Sequence, residues 1–321
     1  MKRYSCSNKK HPPLYQTLWV MFAIALTGPV PHVRSQQKQP PPTMPCTHVD
    51  VRYGPYDRNV FDVWLPPGAT AEKPVPVMVF FHGGGFVEGD KSHFSPMPYL
   101  MLGYAAVSVN YRFVDGHEVL TPVPMEDGAR ALQFLRSQAD VYGIDAEKVA
   151  LSGSSAGAII AMWIAYHDDL ADPENEDPIR HQSTRVTCLV PMNGPTNLDP
   201  RWINTHLGGS PEGHSSFPKF YGVPDGNYRK PEVQKMIGNA SVINHVTSDD
   251  PPTYSIYTDE MSHVPLPKDT PQSIIIHHPY FGQVLKSRLD EVGVACDFTY
   301  GSQRPALQKI ALFLHKHLEG G

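Results

Sequence analysis

The stretch "VALSGSSAGAIIA", Val149 to Ala161, passes from an apolar, β-type run into a run of small and aliphatic residues, and the two meet at Gly153-Ser154-Ser155-Ala156-Gly157. A strand that ends in a G-x-S-x-G pentapeptide and gives way at once to a helix is the setting in which a tight turn lifts a serine above the edge of a parallel sheet. Glycines two residues to either side of Ser155 let that turn close without side-chain clashes. Ser155 would then lie at a helix N-terminus, where unpaired N–H groups and the helix dipole favour developing negative charge. Serine is also a common helix cap, so the pentapeptide alone leaves a cap and a nucleophile both open.

Outward from this turn the chain repeats the same alternation. "HVDVRYG" and "NVFDVWLP" alternate apolar and polar residues about a turn, the pattern of a half-buried hairpin. "VPVMVFF" (Val75 to Phe81) and "YAAVSVN" (Tyr104 to Asn110) are nearly continuous apolar runs, as in strands covered on both faces. Ala129, Leu132 and Leu135 fall on one helical face between Glu126 and Ala139. "KVALS", "VTCLVPMNG", "PTYSIY" and "ACDFTY" read as further strands, and "AGAIIAMWIAYH", "FGQVLKSRLDEVG" and "PALQKIALFLHKHL" as helices. This order predicts an α/β fold with a mainly parallel, doubly wound sheet and helices on both faces. No internal repeat is visible. Two segments interrupt the series: the acidic stretch from His167 to Thr184 reads as a solvated loop, and the Gly- and Pro-rich stretch from Asp199 to Gly238 is either a cap over a site or a long irregular connection.

A second motif bears on the chemistry. "FFHGGGFVEGD" places His82-Gly83-Gly84-Gly85 directly after the strand ending at Phe81. Acyl transfer needs donors aimed at a tetrahedral oxyanion, and glycine amides can approach closely because no Cβ intervenes. Gly83 and Gly84 would supply such donors, with the N–H of Ala156 completing an oxyanion hole. A phosphate-binding loop fits poorly, because no G-K-[ST] follows.

With these residues in view, the chain from about Val49 to Leu318 resembles the α/β-hydrolase esterase/lipase family, in the acetyl- and feruloyl-esterase-like branch that borders the hormone-sensitive-lipase-like esterases. "VRYGPYDRNVFDVWLP", "HGGGF", "VNYRF", "MEDGARALQFLR", "GSSAG" and "DDPPTY" carry the resemblance, in the family's order. It implies an α/β-hydrolase fold and a carboxylic-ester hydrolase, with Ser155 as nucleophile and Gly83, Gly84 and Ala156 around the oxyanion. The family also implies an acid in a loop after the strand that follows "DDPP", a segment resembling H-G-x-x-D, which here reads "IYTDEMSHVP". Aligned on the strand, the acid position falls on Met261, and Asp259 is the carboxylate taken in its place, with Glu260 adjacent. The family's base follows the last strand, yet "FTYGSQRPALQK" holds no histidine. His315 and His317 come too far along the last helix to face the serine. "SIIIHHPYFG" sets His277 and His278 just before Pro279, at the expected start of a helix, and such helix N-termini lie on the serine's side of the sheet. A triad is defined by geometry and not by chain order. His278 is therefore the expected base, with His277 as its alternative; helix capping or lining of the pocket wall is the other use of these rings. His263, His277 and His278 have no spacing diagnostic of zinc, so neither a metal nor a cofactor is expected.

Composition bounds the remainder. With 27 Lys and Arg against 32 Asp and Glu, and the basic residues scattered, no nucleic-acid partner is expected. Residues 1–35 read as a signal peptide or an uncleaved anchor: Lys2, Arg3, Lys9 and Lys10 precede "LWVMFAIAL", Leu18 to Leu26, an apolar run short for a membrane span. Residues 36–46 read as a Pro-rich linker and 47–321 as the hydrolase domain. No stable membrane span is expected once the leader is removed, and a secreted or periplasmic location follows. Cys46, Cys188 and Cys296 allow at most one disulfide, and Cys188 and Cys296 lie in apolar strand-like runs as unreactive thiols. Two functions stay open: an exported serine esterase acting on a small-molecule or glycan ester, and a catalytically weak relative that keeps the pocket to bind an ester, lipid or glycan.

Overall fold

The computed structural model of the chain describes residues 46–210, 214, 216–303 and 307–320. The leader and nearly all of the linker expected over residues 1–46 lie outside the described residues. The rest belongs to one compact unit, Met44–Gly321.

Eight strands form one sheet: β1 (His48–Arg52), β2 (Val60–Trp64), β3 (Val75–Phe81), β4 (Ala105–Val109), β5 (Ile144–Ser154), β6 (Cys188–Met192), β7 (Thr253–Ile256) and β8 (Cys296–Thr299). Ten α-helices accompany them among the described residues: α1 (Met97–Leu100), α2 (Val123–Ser137), α3 (Ala139–Tyr142), α4 (Ala156–Tyr166), α5 (Pro200–His206), α6 (Ser216–Tyr221), α7 (Pro231–Ala240), α8 (Gln272–Ile276), α9 (Tyr280–Glu291) and α10 (Leu307–Leu318). The strand order is β1-β2-β4-β3-β5-β6-β7-β8. β1/β2 and β2/β4 are antiparallel, and every pair from β4/β3 to β7/β8 is parallel.

The two faces of the sheet follow from side-chain alternation. Val77, Val79 and Phe81 of β3, with Val149 and Leu151 of β5, pack into one large core with residues of α2, α4 and α9. Met78, Ala150, Cys188 and Val190 point the other way and meet Phe313, Leu314 and Leu318 of α10. Helices thus cover both faces, which makes β3 and β5 apolar at successive positions and not merely at alternate ones. Helix α4 is buried along its whole length, because it lies between the sheet and the helices outside it. The interrupting segment from Asp199 to Gly238 contains α5, α6 and most of α7, and α6 packs Phe217, Phe220 and Tyr221 into the main core. Among the described residues, no helix is long and apolar enough to cross a membrane.

Candidate active site

β5 ends and α4 begins within one residue. Ser155 takes φ 53° and ψ −116°, the left-handed side of the map, where a residue with a Cβ is strained by about 1–3 kcal/mol. The turn is held by the Ser155 N–H donating to Met192 O at 2.9 Å, and by the Ile159 N–H donating to Ser155 O at 3.1 Å. Its two glycines are required by contact. A Cβ on Gly157 would stand 2.0 Å from Phe81 O, and one on Gly153 would stand 2.3 Å from Gly157 C. The elbow is therefore pressed directly against the end of β3, where the second glycine motif begins.

That loop is fixed from behind. Gly83 lies against the elbow, a Cβ there standing 3.0 Å from Ser154 O and 3.5 Å from the Ser155 Cβ. Gly84 has φ +113° and a Cβ there would be 2.1 Å from Glu88 O, so the turn accepts only glycine. His82 Nδ1 donates to Gly83 O at 2.7 Å, which leaves Nε2 to accept from Arg58 Nη2 at 3.1 Å. Burial pushes His82 down to about 4, and the neighbouring Arg58 charge adds to this against the opposing pull of the Gly83 carbonyl. The ring is thus neutral and single in its tautomer. Arg58 also donates to Tyr111 O and Gly89 O, and its guanidinium stands 3.7 Å over the Phe113 ring. Ala156 is the first residue of α4, so its N–H has no acceptor inside the helix and is free to face a ligand.

The two adjacent histidines part company. His277 caps the C-terminus of α8, and its Nε2 stands 2.8 Å from Ser155 Oγ. His278 is 1% exposed; its Nδ1 accepts the Tyr280 N–H at 3.1 Å, so Nε2 carries the proton and donates to Ser262 Oγ at 2.8 Å. With both nitrogens engaged away from Ser155, His278 is not placed to take the serine's proton. The sequence favoured His278 over its neighbour; the structure brings His277 to the serine. The reason is local: α8 ends at Ile276, one turn earlier than the helix start expected at Pro279, so the two rings leave a non-helical joint in different directions.

Burial lowers the basicity of both rings, and the carboxylate of Asp259 opposes that shift in each. Asp259 acts through space, and no hydrogen bond joins it to either ring. Glu260 turns away and accepts the Ser302 N–H at 2.7 Å, bracing the turn after β8, which holds no histidine. Asn193, with φ 52°, accepts the Thr258 N–H at 2.7 Å and so ties the Asp259 loop to the end of β6. Neither Arg58 nor Asn193 stood out in the sequence: a lone arginine in a hairpin turn and an asparagine after a strand carry no pattern. Among the described residues, no group of three or more His, Cys, Asp or Glu side chains is disposed to hold a metal ion. Cys46, Cys188 and Cys296 are free thiols, and burial pushes the last two up to about 12.

A mostly parallel sheet between two helical layers, with a strained serine at the strand-to-helix elbow beside a glycine loop, defines the α/β-hydrolase class. Within it, the BD-FAE family model matches residues 61–275, and the chain belongs to that family of esterase-type α/β hydrolases, hormone-sensitive-lipase-like in character. The probable carboxylic ester hydrolase LipM of Mycobacterium tuberculosis is 26% identical over 221 residues, 68% of this chain and 48% of the relative. Probable carboxylesterase 1 of Arabidopsis thaliana is 32% identical over 177 residues, 48% of this chain and 54% of the relative. The chain thus spans about half the length of the curated relatives it matches. Among solved structures, a truncated carbohydrate esterase from gut microbiota shares the fold, with TM-score 0.64, 18% identity, and 85% and 96% of the two chains covered. Esterase 2 of Thermogutta terrifontis does so with TM-score 0.60, 20% identity, and 86% and 92% coverage.

Proposed function

We propose that the protein is a serine carboxylic-ester hydrolase in which Ser155 is the nucleophile and His277 its base. The observation that carries this reading is the 2.8 Å approach of His277 Nε2 to Ser155 Oγ at a strained elbow that packs against Gly83. Ser155 Oγ attacks the acyl carbon as its proton passes to His277 Nε2. The carbonyl oxygen becomes an oxyanion held by the N–H groups of Gly83, Gly84 and Ala156. Collapse expels the alcohol, which takes the proton from His277. Water, deprotonated by the same ring, then releases the acid. Asp259 favours the imidazolium that forms twice in this cycle.

The matched relatives are named esterases and carboxylic ester hydrolases, which supports the reaction class. An acylated carbohydrate or a similar small ester is the proposed substrate. Export, to a secreted or periplasmic location, is proposed from the basic and apolar leader, and N-terminal sequencing of chain recovered outside the cytoplasm tests it.

One observation favours the second reading, a weak or inactive relative that binds an ester, lipid or glycan: Asp259 does not hydrogen-bond His277, and without an oriented base the hydroxyl is a poor nucleophile. Treatment with a fluorophosphonate separates the two. Mass spectrometry should find the adduct on Ser155, abolished in Ser155→Ala and in His277→Ala. An unlabelled Ser155, in a chain that hydrolyses no p-nitrophenyl ester, would leave the binding reading.

A further inference from the structure

β2 runs antiparallel to β4, and β4 parallel to β3, with Phe61, Val109 and Phe81 abreast across the three strands. The turn that precedes β2 therefore lies at the end of the sheet where β3 and β4 finish, beside the glycine loop. Arg58 stands in that turn, and Tyr111 and His82 follow just after Val109 and Phe81. Its half-buried guanidinium donates from Nε to Tyr111 O at 2.7 Å, and from Nη2 to Gly89 O at 3.2 Å and His82 Nε2 at 3.1 Å. Among the described residues no carboxylate pairs with it; Asp90 acts through space, and burial works against the charge. A cation desolvated without a counter-charge is a poor stabilising device, so what its hydrogen bonds fix matters more than what they add.

A guanidinium only donates, so His82 Nε2 must accept and the ring proton sits on Nδ1. That proton is given to Gly83 O at 2.7 Å. In a trans peptide the C=O and the N–H of the next residue point in opposite directions, so drawing the Gly83 carbonyl back onto His82 sends the Gly84 N–H the other way. Tyr111, whose carbonyl Arg58 also holds, donates its hydroxyl to His82 O at 2.7 Å and fixes the preceding peptide, which carries the Gly83 N–H. Gly89 backs the arrangement, because a Cβ there would stand 2.4 Å from both Gly83 O and His82 Nδ1.

We propose that Arg58 is a positioning residue of the reaction: by holding His82 in the Nδ1–H tautomer it keeps the Gly83 carbonyl turned back and the Gly84 N–H aimed at the oxyanion. Arg58 touches no reacting atom, and its role rests on the esterase reading with Gly83 and Gly84 as oxyanion donors. Without it the ring is free to carry its proton on Nε2. The Nδ1 lone pair then faces the lone pairs of Gly83 O, and the peptide turns away. A ground-state ester, with no charge on its carbonyl oxygen, loses little by this; the tetrahedral oxyanion loses a donor.

The test compares the parent with Arg58→Met, which removes the donors at similar length, and with Arg58→Lys, which keeps a donor for His82 Nε2 but not the fork. Nitrogen-15 NMR of imidazole-labelled protein reads the His82 tautomer, its signals identified by their loss in His82→Gln. Hydrolysis of p-nitrophenyl acetate gives kcat and KM. The parent should carry the His82 proton on Nδ1 alone. In Arg58→Met the Nε2–H form should appear and kcat should fall about 100-fold, the worth of one oxyanion donor, with KM within about threefold of the parent. Arg58→Lys should restore the Nδ1–H form and at least about tenfold of the lost kcat. If Arg58→Met does not fold, Arg58→Lys decides, because tautomer and kcat must move together in either variant. Parental kcat with the Nε2–H form, a 100-fold loss of about that size with His82 still in the Nδ1–H form, or a rise in KM alone overturns the proposal. If the parent hydrolyses no ester, the esterase reading fails and the tautomer decides alone: an Nε2–H ring in Arg58→Met sustains the hold of Arg58 on the loop, and an unchanged ring overturns it.

Discussion

Replacing His277 and His278 by glutamine, one at a time, should separate rate from stability. His277 makes one hydrogen bond, to Ser155 Oγ, from a half-buried position where its ring already pays a desolvation cost. Removing a general base costs about 10²–10⁴ in rate. At 1.36 kcal/mol per decade this is about 3–5 kcal/mol of barrier. Stability should change by about 1 kcal/mol or less, the worth of one ordinary hydrogen bond. His278 is the reverse case. It is 1% exposed and bridges Ser262 Oγ to the Tyr280 N–H, joining the Asp259 loop to the first turn of α9. Glutamine cannot place a donor and an acceptor at those two points, and a buried group left unpaired costs about 1–3 kcal/mol. Its kcat should stay within about tenfold of the parent, since its nitrogens touch no reacting atom. Hydrolysis of p-nitrophenyl acetate and urea unfolding of the same preparations read both axes. A His278→Gln enzyme that unfolds like the parent but has lost its activity, beside an active His277→Gln enzyme, would refute the assignment.

Further expectations follow from the same geometry. In Gly157→Ala the new Cβ meets Phe81 O at 2.0 Å, so α4 and β3 must separate by about 1 Å; overpacking of this kind costs about 1–3 kcal/mol, measured by urea unfolding, and kcat should fall as the elbow leaves the Gly83 loop. The base works only when neutral and burial lowers the His277 pKa, so kcat/KM should rise with pH and reach half its maximum below pH 6.5. In Asp259→Asn the carboxylate that raises this pKa is gone, so that limb should move to still lower pH as the maximal rate falls about 10–100-fold; an unmoved limb would remove Asp259 from the mechanism. His82 and His167, both pushed down to about 4 by burial, take up protons more readily in the unfolded chain, so stability is present above pH 6.5 and drains away as pH falls towards 4. Each should remove about 2 kcal/mol between pH 7 and 5, and His82→Gln should flatten its share of that slope in urea titrations.

What the sequence disclosed was what local pattern encodes. The apolar runs at Val75–Phe81 and Ala105–Val109 declared doubly covered strands, and the strand, pentapeptide and small-residue helix in series declared the elbow. The glycine loop proposed to hold the oxyanion was legible because the glycine requirement is itself local: Gly84 at φ +113° tolerates no side chain. Asp259 and the two histidines were visible as candidates, but not their ranking. Which of two neighbouring rings faces Ser155 depends on where α8 stops, and the short helix Gln272–Ile276 ends on His277 itself, with no glycine or asparagine to announce the stop. Arg58 was hidden for a different reason, since its three hydrogen-bond partners are distant in the chain and two are main-chain carbonyls that no residue identity reveals.

The position proposed for the base has a physical logic in the sheet. β7 and β8 are parallel neighbours, so the loops leaving their C-terminal ends rise from the same edge. A histidine can therefore reach the elbow from the β7 side as well as from the β8 side, provided a connection is long enough to climb over it. The stretch from Tyr257 to Pro279 is that connection, and it carries Asp259, Ser262, His277 and His278 together. The turn after β8, relieved of a base, is instead clamped through the Ser302 N–H by Glu260 from the same loop. Asp259 and His277, the proposed acid and base, arrive on one segment and move together, so any slack in that segment displaces both from Ser155 at once. This gives the buried His278 its importance: by pinning Ser262 to the start of α9 it fixes the loop at both ends, and its loss should weaken the coupling between Asp259 and His277 before it unfolds the domain.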